Sequence, residues 1–206
     1  RFAPEPGASA GPALEPLPHT AQEVATLRAL AGDRPFTALT GADATRTNLL
    51  AVPGLAGAAV LHLATYGVAD EAEPGRSGLW LSPEGAGPGF LSADDLLERR
   101  LGADLVTLSA CETGAGRLER GEGVLGLARA VLAAGSRSVL VSLWRVNDRS
   151  TARLMEGFYR PLLARHETRE QALAAAKRAL LREETTRSPF HWAPFVLIGA
   201  GGPVPR

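Results

Sequence analysis

The sequence predicts an α/β fold: a largely parallel sheet flanked by helices. Three observations predict it. Apolar runs too continuous for half-exposed strands occur at AGAAVLHLATYG (56–67), ADLVTLSA (103–110) and SRSVLVSLW (136–144), as expected of strands buried on both faces. Helical patterns separate these runs, which is how parallel strands are connected. Each run also stops at a glycine, a turn or a polar segment, so the strand ends are sharply marked.

Taken in order, residues 1–18 (RFAPEPGASAGPALEPLP) are rich in Pro, Gly and Ala without periodicity and read as a linker or poorly ordered arm. In HTAQEVATLRALAG, Thr20 is the expected N-cap, Glu23 completes a capping box and Gly32 stops the helix. FTALT (36–40) reads as a short strand and ADATRTNLLAV (42–52) as a helix. The run 56–67 reads as one buried strand. GLWLSPEGAGPGFLS (78–92) gives a short strand, a turn-rich loop and a second extended piece, and SADDLLERR opens as a small capped helix. ADLVTLSA is the second buried strand. GVLGLARAVLAAG (123–135) is a helix closed by glycine, and SRSVLVSLW the third buried strand. Helices near 149–164 and 168–183 precede a last strand, WAPFVLIG (192–199). No internal repeat is visible.

Composition narrows the function. Hydrophobic residues make up 45% of the 206 residues and aromatic residues only 5%, so the core rests on Leu, Val and Ala. Twenty-two basic residues balance twenty-two acidic ones, which argues against nucleic acid or an anionic membrane as main partner. A single cysteine excludes an internal disulfide and a cysteine-rich metal site, and fits a reducing, cytoplasmic location. No run has the length of a membrane span, and the chain opens on Arg1. We therefore expect a soluble fragment of a longer protein, with one folded unit over 19–200 and a short tail at 201–206.

Sheets of this class bind and react at the carboxyl ends of their strands. Tyr66–Gly67, Cys111 and the segment RVND after Trp144 all fall at such ends. The lone cysteine sits where an apolar run gives way to the glycine-rich CETGAGRLERGEG (111–123), a loop we expect to be mobile over the site.

The segments LHLATYG, DLVTLSACETGAG, GEGVLGLARAVLAAGSRSVLVSLWRVND and SPFHWAPFVLIG resemble, in order and spacing, the CHAT domain. This is a caspase-like cysteine peptidase domain of the separase clan, often appended to tetratricopeptide repeats. The resemblance implies a caspase-like fold and a cysteine–histidine dyad acting on a protein or peptide substrate, without cofactor or metal. It places the nucleophile at Cys111 and the base of a THG segment at Tyr66. It also makes Gly67 an oxyanion donor, since glycine lets a backbone N–H approach a developing anion closely.

Tyr66 cannot act as that base. A phenol titrates near 10 and is neutral at physiological pH. His62 is a poor substitute, because four residues along a strand span roughly 13 Å; it reads as a core histidine. His191 can reach the site only if the last strand runs antiparallel. Asp148 has two readings: a carboxylate selecting a basic side chain, as the similar segment of separase implies, or the cap of the following helix. GEGVLG (121–126) matches a dinucleotide fingerprint, but it does not follow a strand directly, and Glu122 would repel a pyrophosphate. Two functions stay open: a peptidase lacking its general base, or a pseudoprotease that binds peptides as a scaffold.

Overall fold

The continuous apolar runs do become strands, buried at 105–108 and 138–141 but mostly half-buried at 60–63, and their order builds a central sheet with helices on both faces. The computed structural model describes residues 17–68, 70, 74–85, 87–98, 101–109, 111–112, 122–144 and 146–205. Residues 1–16 of the expected arm and most of the expected loop 111–123 lie outside the described residues. In chain order the helices are α1 (Thr20–Ala31), α2 (Arg46–Leu50), α3 (Ala93–Leu97), α4 (Glu122–Ala133), α5 (Asp148–Tyr159) and α6 (Arg169–Arg182). The strands are β1 (Val60–Leu63), β2 (Tyr66–Val68), β3 (Gly78–Trp80), β4 (Phe90–Ser92), β5 (Leu105–Leu108), β6 (Cys111–Glu112), β7 (Ser138–Ser142) and β8 (Phe195–Gly199).

The central sheet has the order β1-β5-β7-β8. β1, β5 and β7 are parallel, and β8 closes the edge antiparallel to β7. Its two faces bury two clusters. One holds Val106, Val139 and Val141 with Leu96 of α3 and Leu127 and Val131 of α4. The other holds Leu105 and Leu140 with Phe158 of α5, Ala176 of α6 and Leu27 of α1. The chain is thus a mixed α/β structure with a mostly parallel sheet between helices, the caspase-like arrangement.

Four expectations need correction. The run 56–67 is not one strand: it breaks at Ala64–Thr65, and Tyr66–Val68 joins a second sheet, ordered β4-β3-β2-β6. FTALT forms no strand; it carries the chain around the β1 edge, with Phe36 packed on one cluster and Leu39 on the other. The helix expected over 42–52 is a 3-10 turn at Gly41–Asp43 followed by the five-residue α2, whose cap Thr45 accepts from the Asn48 N–H. His19, not Thr20, is the N-cap of α1, and no side chain caps that end. Glu23 is instead drawn into the interior, where it is 3% exposed.

The chain leaves the sheet with its end tied down. Arg169 Nη1 donates to the carbonyls of Gly201, Gly202 and Pro203 at 2.9, 2.8 and 3.2 Å. Its Nη2 pairs with Asp104 Oδ2 at the entrance to β5.

Candidate active site

The site is assembled by two strands that change sheets in step. β1 and β5 pair in parallel with His62 opposite Thr107 and Leu63 opposite Leu108. The Ser109 N–H then donates to the Leu63 carbonyl at 3.0 Å. Both chains cross into the second sheet after the same number of residues, so the register survives: Tyr66 lies opposite Cys111 and Gly67 opposite Glu112 in the parallel β2–β6 ladder. Adjacent strands lie roughly 4.8 Å apart. Three sequence-predicted positions, Tyr66, Gly67 and Cys111, are therefore neighbours.

β3 supports this ladder from the other side, with Trp80 opposite Tyr66 and Leu79 opposite Gly67. The Thr65 hydroxyl donates to the Trp80 carbonyl just where the chain changes sheets. Trp80 packs against Phe90 with the rings tilted at 56° and their centroids 4.7 Å apart. Gly78 is required for this hairpin, since a Cβ there would meet the Leu91 carbonyl at 2.4 Å and the Phe90 ring at 2.6 Å. Ser92 caps α3 reciprocally with Asp95, whose carboxylate also pairs with Arg46 at 2.6 Å. The small sheet is thereby braced on α2 and α3.

His62 is a core histidine, as expected. Its Nδ1 lies 3.0 Å from the Tyr159 hydroxyl and its Nε2 2.8 Å from Glu23 Oε2. The Tyr159 hydroxyl donates to Thr107 Oγ1 at 2.6 Å, and its burial raises its pKa well above the usual phenol value. This Glu23–His62–Tyr159–Thr107 chain was not foreseen. Its signal was present: one polar residue in each apolar strand, each four residues before a site position. It engages both nitrogens of His62.

Asp148 stands at the carboxyl end of β7, outside the β2–β6 ladder. Asn147 caps α5 by accepting from the Arg149 N–H at 3.0 Å, so Asp148 is the first helical residue. Its Oδ2 accepts from the His19 N–H at 3.0 Å and ties α5 to the start of α1. His191 meets the condition set for it, since β8 is antiparallel, but its Nδ1 lies 3.1 Å from Ser150 Oγ in the first turn of α5. Trp144, 37% exposed, and Phe190, 51% exposed, share this edge, and the indole N–H donates to the Phe190 carbonyl at 3.2 Å. Among the described residues no His, Cys, Asp and Glu group is arranged to hold a metal ion, and no helix is long and apolar enough to cross a membrane.

Comparison with known proteins adds a family. A family model described as the CHAT domain matches residues 5–200. Tetratricopeptide repeat protein 28 of Mus musculus is 36% identical over 111 residues, and that of Homo sapiens is 34% identical over 111 residues. Each match covers 54% of this chain and 4% of the relative, so the chain spans a small fraction of the relatives' length.

Proposed function

The chain belongs to the CHAT domain family, and from that premise we propose that its site is that of a caspase-like cysteine endopeptidase whose proton-transfer position is filled by Tyr66. One observation carries the reading: residues 66 and 111, far apart in sequence, face each other in register across two adjacent parallel strands. Register partners belong to one face of a sheet, so a base at position 66 is in range of a nucleophile at 111.

In this reading Cys111 attacks the scissile carbonyl, the tetrahedral oxygen is held by backbone N–H groups including that of Gly67, and an acyl-enzyme forms as the amine departs. The reaction needs a group that takes the thiol proton and returns it to the amine. An unperturbed thiol is only a few per cent ionised near neutrality, and a phenol at position 66 does not improve that. The form described here is accordingly inactive as a peptidase. Asp148 is assigned to the basic side chain of the substrate. Among the described residues His19 engages its Oδ2, and a carboxylate offers about four acceptor sites, so an arginine fork is still accommodated.

Tyr66 itself favours the second reading, a pseudoprotease that holds a peptide in the same groove without cutting it. By analogy with the named relatives, we place the domain in a longer chain beside tetratricopeptide repeats, and the single cysteine supports a reducing, cytoplasmic location. Peptide cleavage by Tyr66→His, with Tyr66→His/Cys111→Ala as control, separates the two. Thiol-dependent cleavage by the single variant supports the peptidase site. Peptide binding by every form with cleavage by none supports the scaffold.

A further inference from the structure

The pairing of residues 66 and 111 depends on strands that lie outside the small sheet. β1 and β5 carry their mutual register across the change of sheets, so Tyr66 meets Cys111 only while His62 meets Thr107. A slip of one residue turns every side chain of a strand to its other face. β5 resists slipping, since its four residues are buried and it pairs on both sides. β1 has less to hold it. Of VLHL only Leu63 is fully buried, and among the described residues the strand pairs with β5 alone. Its other apolar residues, Val60 and Leu61, are close enough in size to pack almost as well one position along.

His62 is the polar residue of β1 and cannot be exchanged with its neighbours. It stands opposite Thr107, and the link between the two runs through Tyr159 of α5. The Tyr159 hydroxyl has a single proton and donates it to Thr107 Oγ1 at 2.6 Å. Its oxygen, 3.0 Å from His62 Nδ1, is left to accept, which makes Nδ1 the donor nitrogen. Nε2 meets Glu23 Oε2 of α1 at 2.8 Å, and both side chains are almost wholly buried. The Tyr159 ring is held edge-on against the imidazole and against Phe158. Glu23 joins this chain instead of the capping box that its sequence offers. Shifted by one residue, β1 would present Leu61 or Leu63 to Tyr159 and Glu23, leaving the buried carboxyl group without its imidazole. Apolar residues at 62 and 107 would serve stability as well; the best-attested use of a buried polar group is to fix register.

We infer that Glu23, His62, Tyr159 and Thr107 are positioning residues, a buried polar clamp that fixes the register of β1 on β5. Through the two strands the clamp sets residue 66 opposite residue 111. The spacing is equal on both, His62 to Tyr66 and Thr107 to Cys111, so a register fixed at the clamp is the register delivered to the site. The clamp follows from the two ladders alone. Its value for thiol chemistry rests on the peptidase reading.

Cys111 is the chain's only cysteine, so Tyr66→Cys creates a single thiol pair. A short reagent that fluoresces only on bridging two thiols then reports the adjacency of positions 66 and 111 without any proton transfer between them. Tyr66→Cys is expected to bridge. Adding Tyr159→Phe or Thr107→Val, each of which removes a hydroxyl at nearly constant volume, should slow bridging about tenfold. Adding Thr107→Ser, which keeps the hydroxyl, should leave the rate unchanged. Equal bridging in every form overturns the proposal, as does failure of Tyr66→Cys to bridge at all. Slowing by Thr107→Ser to the same extent as by Thr107→Val would assign the effect to packing and overturn it too. The peptidase reading fails by a different result: clamp-dependent bridging, with Cys111 alkylation unchanged in Tyr66→His, upholds the clamp and removes that reading.

Discussion

The central sheet and the small second sheet are built from the same two stretches of chain, yet they obey different rules. In the central sheet β5 is buried throughout and its neighbours run parallel, so its register is fixed by side chains on both faces. In the second sheet β2 alternates half-buried, buried, half-buried, and its strands are two or three residues long. Strands that short do not specify their own register. They inherit it from β1 and β5, which cross between the sheets in step. The large sheet supplies precision, and the small one carries Tyr66, Gly67 and Cys111.

The comparison breaks most severely from the central side. Arg169→Ala takes the buried guanidinium from the Asp104 carboxylate, 7% exposed, leaving it the largely exposed Arg137 at 3.5 Å, and unties the 201–203 segment. Removing one partner of a buried pair costs about 3–5 kcal/mol, so urea unfolding should shift by that order, with both sheets lost together. In the next rank, Leu105→Ala empties a fully buried position facing α5 and α6 and should cost about 2–5 kcal/mol, again as one cooperative transition.

A lesion in the small sheet should stay local. Gly78→Ala forces a Cβ against the Leu91 carbonyl, an overpacking penalty of about 1–3 kcal/mol. Hydrogen exchange should quicken in β3 and β4 and leave β5 and β7 unchanged. Global unfolding of this variant would show that the small sheet is not the dependent one.

The smallest effect is one of pH. Hydrogen bonds from Thr45 and Thr47 hold the Glu84 carboxyl below its ordinary value and tie α2 to the β3–β4 loop. A lowered carboxylate stabilises the fold above its unfolded pKa and loses that contribution as pH falls through the folded one. Exchange in the β3–β4 loop should therefore quicken below about pH 4.5, and Glu84→Gln should abolish that pH dependence.

The same contrast decides what was legible in the sequence. Continuous apolar strands announce themselves by composition, whether buried throughout like β5 or half-buried like β1 and β8, and β1, β5, β7 and β8 were read from it along with α4, α5 and α6. The glycine-closed LHLATYG and the cysteine at the end of ADLVTLSA also pointed to Tyr66 and Cys111. The change of sheet at Ala64–Thr65 left no trace, because an apolar run has the same composition whichever sheet receives it. FTALT alternates like a strand, but its Phe36 and Leu39 serve opposite faces of a sheet whose edge it rounds. Glu23 read as a cap because the capping box is a local pattern, whereas its partner His62 is brought to it by the fold.

The central claim is that positions 66 and 111 work as a pair. The measurement closest to it is the pH profile of Cys111 alkylation in the chain as described and in Tyr66→His. A paired imidazole draws the thiol proton and lowers its pKa from about 8.5 toward or below neutrality. Tyr66→His should then be alkylated faster near neutral pH, with its profile displaced to lower pH. Superimposable profiles for the two forms would contradict the account.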